Sequence, residues 1–148
     1  MDIGGLDEMI NEEKQADNVV SFEEQKPKRR PFHYWKVGDS EYKLKLTTRT
    51  IEQVENKYRK NILNLVTDDG IPPLSVMLTV IQAAMITWEQ GLSYQKIQNL
   101  YDKWTEEGGS QTEFYAQIIM PTLAVSGFFT EKQAGSMLES VESMDSLT

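Results

Sequence analysis

The side chains in this chain that could carry out chemistry are few, and their spacing argues against catalysis. There is one histidine, His33, and no cysteine among 148 residues. Without thiols there is no disulfide, no thiolate zinc site, no iron–sulfur cluster and no cysteine nucleophile. A single imidazole cannot form a two-histidine metal site, and it can orient at most one group. Two carboxylate pairs stand out. Asp68-Asp69 runs into Gly70 with no further ligand nearby, which is turn chemistry rather than a metal site. Glu106-Glu107 sits beside a predicted helix end and reads as solvated surface rather than an acid–base pair. No glycine-rich phosphate loop, dinucleotide fingerprint or nucleophile elbow occurs. The expectation is a non-enzymatic chain with no catalytic, cofactor-binding or metal-binding residues.

Recognition is a different matter. Phe32, Tyr34 and Trp35 follow directly on Lys28, Arg29 and Arg30. Aromatic rings interleaved with bases can stack on single-stranded nucleic acid, or they can anchor a protein interface. The net charge of −8, from 15 basic and 23 acidic residues, favours the protein interface. The candidate partner-binding residues are Tyr34, Trp35, Tyr42, Leu44, Phe128 and Phe129, with Arg29 and Arg30. The competing reading of each apolar one is an ordinary core residue.

The charge is unevenly laid out. Residues 1–25 carry eight acids and one base, residues 26–60 eleven bases and four acids, and residues 61–148 three bases and eleven acids. This layout is either a solvated surface or one basic face that meets an acidic partner or the chain's own acidic arm. Residues 1–31 have the composition of a disordered arm, too poor in large apolar groups to offset ordering entropy. Within it Leu6, Met9 and Ile10 fall at helical spacing, which would suit a small docking helix. Met1 to Asn11 has neither the basic start nor the apolar run of a secretory signal. The uncharged stretch Gly70–Trp88 reads as a buried helix rather than a membrane span.

The elements that position these residues follow from local pattern. Phe32–Val37 and Glu41–Leu46 are predicted strands, joined at Gly38-Asp39, a pair that supplies the positive φ of a tight hairpin. Tyr42, Leu44 and Leu46 share one face with Trp35 and Val37, while Lys43 and Lys45 take the other. Helices are then predicted from Thr50, capped with Gln53, to the turn at Asp68; from Pro72-Pro73 through Leu74 to Trp88; from Ser93 to Gly108-Gly109; from Ser110 with Glu113 to Gly127; and from Thr130 with Gln133 onward. Pro121 should kink or split the fourth of these. The fold class is mainly α with a small β-hairpin, α+β, in which residues 32–141 pack the N-terminal hairpin on a compact bundle of about five helices. Residues 142–148 are expected to fray.

Four segments, in this order, resemble the tail assembly chaperones of long non-contractile-tailed phages and prophages of Gram-positive bacteria. They are Arg30-Pro31-Phe32-His33-Tyr34-Trp35-Lys36-Val37-Gly38-Asp39 with Glu41-Tyr42-Lys43-Leu44-Lys45-Leu46-Thr47-Thr48-Arg49; Ile71-Pro72-Pro73-Leu74-Ser75-Val76-Met77; Glu106-Glu107-Gly108-Gly109-Ser110-Gln111-Thr112; and Val125-Ser126-Gly127-Phe128-Phe129. The resemblance spans roughly residues 30–130. It implies a non-enzymatic protein of the host cytoplasm, absent from the mature virion. Such a protein holds the tape measure protein soluble, recruits tail tube subunits and self-associates, with no membrane partner. The alternative is a small nucleic-acid-binding regulator that uses the basic segment 26–60.

Overall fold

Gly38 takes φ 62°, as the hairpin turn demands, and pairs the two strands in antiparallel register with Trp35 opposite Tyr42 and Val37 opposite Ser40. The structure, a computed structural model, describes residues 30–147; most of the arm expected over 1–31 therefore lies outside the described residues. The strands are β1, His33–Val37, and β2, Ser40–Leu44. Strand β2 stops two residues before the expected Leu46. The backbone N–H of Lys45 donates to the carbonyl of Ala84 at 3.1 Å, and that of Leu46 to Ser126 Oγ at 2.9 Å. Those donors leave the ladder to stitch the hairpin to the helices. Trp35, Val37, Leu44 and Leu46 are all buried, so the expected alternation holds.

The first helix, α1 (Thr48–Tyr58), begins earlier than its pattern suggested. Thr47 is the N-cap, and its partner in the capping box is Thr50, a threonine where glutamate or glutamine is usual. Thr50 Oγ1 accepts from the Thr47 N–H at 2.8 Å. Arg59, at φ 53°, ends α1 in a left-handed cap, and Asn61 starts a separate short helix α2 (Ile62–Thr67). One expected helix is thus two. Helix α3 (Leu74–Met85) is the core element, with Val76, Met77, Leu78, Val80, Ile81, Ala84 and Met85 buried. It packs against α1, β2 and the next helix, α4 (Tyr94–Glu106). It ends three residues short of the expected Trp88, in a turn where Trp88 and Glu89 both bond back to the Met85 carbonyl.

The next stretch is helical through Pro121. A short α5 (Gln111–Glu113) passes into a π-helical segment, Phe114–Ile119, and then into α6 (Met120–Val125). The expected kink is resolved as a change of pitch. Proline has no N–H to offer the carbonyl four residues back, and the wider turns just before it accommodate that loss. The carbonyl in question, Gln117, receives His33 Nε2 at 2.8 Å; since a carbonyl only accepts, Nε2 carries the proton. The last helix, α7 (Glu131–Leu147), packs on α6 and runs on through residues expected to fray. No glycine or proline follows Gly135 to break it, and Glu142 is held by an ion pair with Arg30. The chain is a mainly helical α+β protein with a two-stranded antiparallel hairpin at the start of the described residues.

Candidate functional site

A two-stranded sheet has two faces, and this one buries only one of them. The inner face carries Trp35, Val37 and Leu44 into the core. The outer face carries Tyr34 and Lys36 from β1, and Glu41 and Lys43 from β2, with Tyr34 directly opposite Lys43. Phe32 extends it by one more alternate position. The ammonium groups of Lys43 and Lys45 lie 5.0 and 5.7 Å from the centroid of the Phe32 ring, within range of cation–π attraction. Trp88, from the turn after α3, closes the end of this face. Its ring meets Phe32 edge to face at 5.0 Å, and its Nε1–H donates to the Lys45 carbonyl at 3.2 Å. Tyr34 is 44 % exposed, Trp88 37 % and nearby Ile86 46 %. Large rings left open to water among lysines, one of them (Trp88) fixed by a ring contact and a hydrogen bond, suit a binding surface.

The inner rings do a different job. Trp35, Tyr101, Trp104 and Phe114 pack with centroid separations of 5.1–6.3 Å, mostly edge to face. Trp35 Nε1 is buried without a hydrogen-bond acceptor. Gly109 lies so close to this cluster that a Cβ there would fall 2.4–2.6 Å from three ring atoms of Trp104.

The sequence-derived candidates therefore separate. Trp35 and Leu44, at 0 % exposure, are core residues and offer no surface to a partner, because the fold needs them to join hairpin to helices. Tyr42, Phe128 and Phe129 are half-buried and pack against that core. Tyr34 is on the outer face. Arg30 is exposed and ion-paired with Glu142, while Arg29 lies outside the described residues. The sequence pattern places Trp88 and Ile86 in a buried helix; their exposure follows from the early end of α3, for which the cue in the sequence is Gly91 a few residues on.

Residues 30–148 match DUF6096, a family of unknown function. The chain belongs to that family. No curated protein and no solved structure matches it. In this DUF6096 chain the match takes in the hairpin and every described helix, so the outer hairpin face belongs to the shared part, whereas the acidic arm precedes it.

The carboxylates do not gather. Among the described residues no group of three or more His, Asp or Glu side chains is placed to hold a metal ion. Asp68 caps α2 and pairs with Lys60 at 2.8 Å; its hydrogen bond, helped by the charges of Asp68 and Asp69, holds the Lys60 ammonium above its ordinary pKa. Glu107, expected to be merely solvated, accepts the Gly38 N–H at 2.9 Å and so grips the tip of the hairpin. Burial, reinforced by neighbouring Asp102, raises the Tyr101 phenol above its ordinary value. One open cleft of about 540 Å³, lined by Lys57, Tyr58, Ser75, Thr79, Gln82 and Tyr94, brings in no carboxylate. Among the described residues no helix is long and apolar enough to cross a membrane. The described bases of segment 26–60 do not form one patch: Lys36, Lys43 and Lys45 lie on the hairpin, Arg30 is paired with Glu142, Arg49, Lys57 and Arg59 lie along α1 and its cap, and Lys60 is tied to Asp68.

Proposed function

We propose that this DUF6096 protein is a tail assembly chaperone of a tailed phage or prophage of Gram-positive bacteria. It acts by binding, with no bond made or broken. Its client is the tape measure protein, which it keeps soluble in the host cytoplasm; it recruits tail tube subunits, self-associates, and is left out of the finished particle. The system is suggested by the four resembling segments. The observation that carries a binding role is the outer hairpin face, where Phe32, Tyr34 and Trp88 stand beside Lys36, Lys43 and Lys45. A long helical client exposes apolar stripes before assembly, and an aromatic surface with a lysine rim suits such a stripe.

The test is co-expression with the tape measure protein of the same genome. The wild-type chain should raise the soluble fraction of the client and co-purify with it. The double variant Tyr34→Ser/Trp88→Ser should keep the far-UV circular dichroism of the wild type and lose most of the client. Undiminished client retention by that folded variant removes the assignment of this face, and a client whose solubility ignores the chain altogether removes the function. The regulator reading draws on the same juxtaposition of ring and ammonium, as in single-strand binders. The net charge of −8 weighs against it. A DNA titration at low salt with steep salt dependence would favour it over the chaperone.

A further inference from the structure

The outer hairpin face is basic and aromatic, and the chain enters it from a strongly acidic segment. We propose that residues 1–25 of the same chain dock on the face formed by Phe32, Tyr34, Lys43, Lys45 and Trp88, and cover it until a partner displaces them.

Charge complementarity comes first. Residues 1–25 carry eight acids and one base. The face offers Lys36, Lys43 and Lys45 against the carboxylate of Glu41, with Glu107 at the hairpin tip beside Lys36. Two other surfaces are acidic: α4 carries Asp102 and Glu106 in its last turns and α7 carries Glu131, Glu139 and Glu142, whereas the bases of α1 and its end, Arg49, Lys57, Arg59 and Lys60, are interleaved with Glu52 and Glu55, and Lys60 is held by Asp68. Apolar matching comes second. Leu6, Met9 and Ile10 are the large apolar residues at helical spacing in the arm, and Tyr34 and Trp88 are the exposed rings, on either side of a half-buried Phe32. Geometry comes third. The described chain starts at Arg30, two residues from Phe32, so the arm is tethered at the edge of the face. A random chain of the twenty or so residues that separate Ile10 from Phe32 would span about 25 Å root-mean-square. The face is only about 17 Å long at the usual strand rise. A tether that matches its span gives an effective concentration in the millimolar range, so even a weak contact is well populated. The contact stands apart from the identity of the client; only its role as a placeholder rests on the proposed function.

The experiment uses the full chain. Because the chain lacks cysteine, Met9→Cys places a single nitroxide on the arm. Paramagnetic broadening is then read at the amides of Tyr34, Lys43 and Lys45 and at the Trp88 indole N–H. At low ionic strength these signals should lose more than half their intensity relative to the reduced label. The loss should shrink at least twofold in 0.5 M salt, where screening is about 4 Å. It should shrink likewise in Lys43→Glu/Lys45→Glu, and independently in Glu8→Gln/Glu12→Gln/Glu13→Gln, which leaves the described fold untouched. Full intensity at low salt overturns the proposal. So does broadening that survives the arm variant, or broadening that arises equally when the label sits on a second, isotopically silent copy. None of these readings involves the client, so failure of the arm contact and failure of the chaperone assignment are separate results.

Discussion

Gly109→Ala is the sharpest probe of the packing that holds hairpin to helices. The added methyl would lie 2.4–2.6 Å from Cδ2, Cε3 and Cε2 of Trp104, well inside contact distance. The obstacle is a ring rather than the free end of a flexible chain. That ring is held by Trp35, Tyr101 and Phe114 at centroid distances of 6.3, 5.9 and 5.5 Å, so it cannot swing clear. The backbone cannot yield freely either, because the Gly109 N–H is bonded to the Trp104 carbonyl at 3.1 Å. Gly109 is not among the positive-φ glycines, so the penalty is steric alone. Overpacking of this kind costs about 1–3 kcal/mol. A central value of about 2 kcal/mol lowers Tm by about 4–8 °C in a chain of this size. The assay is a thermal melt by circular dichroism, repeated in the Trp104→Leu background. If the clash is with the ring, Gly109→Ala should cost at least about 1 kcal/mol less once the ring is gone. Gly108→Ala is the control: nothing lies within 4 Å of its Cβ position, but its φ of +113° penalises any side chain. Its cost should be indifferent to Trp104. A Gly109→Ala melt within 1 °C of wild type, or equal cost in both backgrounds, would refute the reasoning.

Three further outcomes are expected. Trp35→Phe should cost less than about 2 kcal/mol and Trp35→Ala about 3–5 kcal/mol by chemical denaturation, since the phenyl ring keeps most of the packing and drops an indole N–H that has no acceptor; equal losses would mean that the nitrogen is paired. Thr47→Ala should cost about 1 kcal/mol through the lost cap, whereas Gln53→Ala should be near neutral; the reverse order in urea midpoints would restore the cap first expected at Thr50. Stability should fall at alkaline pH. The folded pKa of Tyr101 is raised above its ordinary 10.0, so its contribution is complete below that value and is lost as pH climbs through the higher folded value. The Lys60 shift has the same sign above 10.5. Tyr101→Phe should flatten the decline of urea midpoints between pH 9 and 11, and an unchanged slope would exclude this cause.

Much of the fold was legible locally. The hairpin followed from strict alternation around Gly38-Asp39, and the helix starts at Ser93 and Ser110 carry the hydroxyl caps expected of them. The departures from the local pattern have different ranges. Strand β2 ends early because Ala84 and Ser126, both distant in sequence, bond to the next backbone donors. The break at Arg59–Asn61 has no glycine or proline to announce it, and it is held in place by Glu55 Oε2 accepting the Ile62 N–H at 3.0 Å. The alternation already separated Trp35 from Tyr34, because a strand sends neighbouring side chains to opposite faces, but only the helices decide that the Trp35 face is covered and the Tyr34 face open.

Periodicity, caps and turn residues were enough to determine a small hairpin followed by short helices, because those signals act over a few residues. Tertiary structure alone decided that Trp35 and Leu44 hold the core, that Trp88 comes back to Phe32, and that the lysines of β2 line an open aromatic face. Each of those facts depends on contacts between segments tens of residues apart, and side-chain spacing along one segment carries no record of what packs against it.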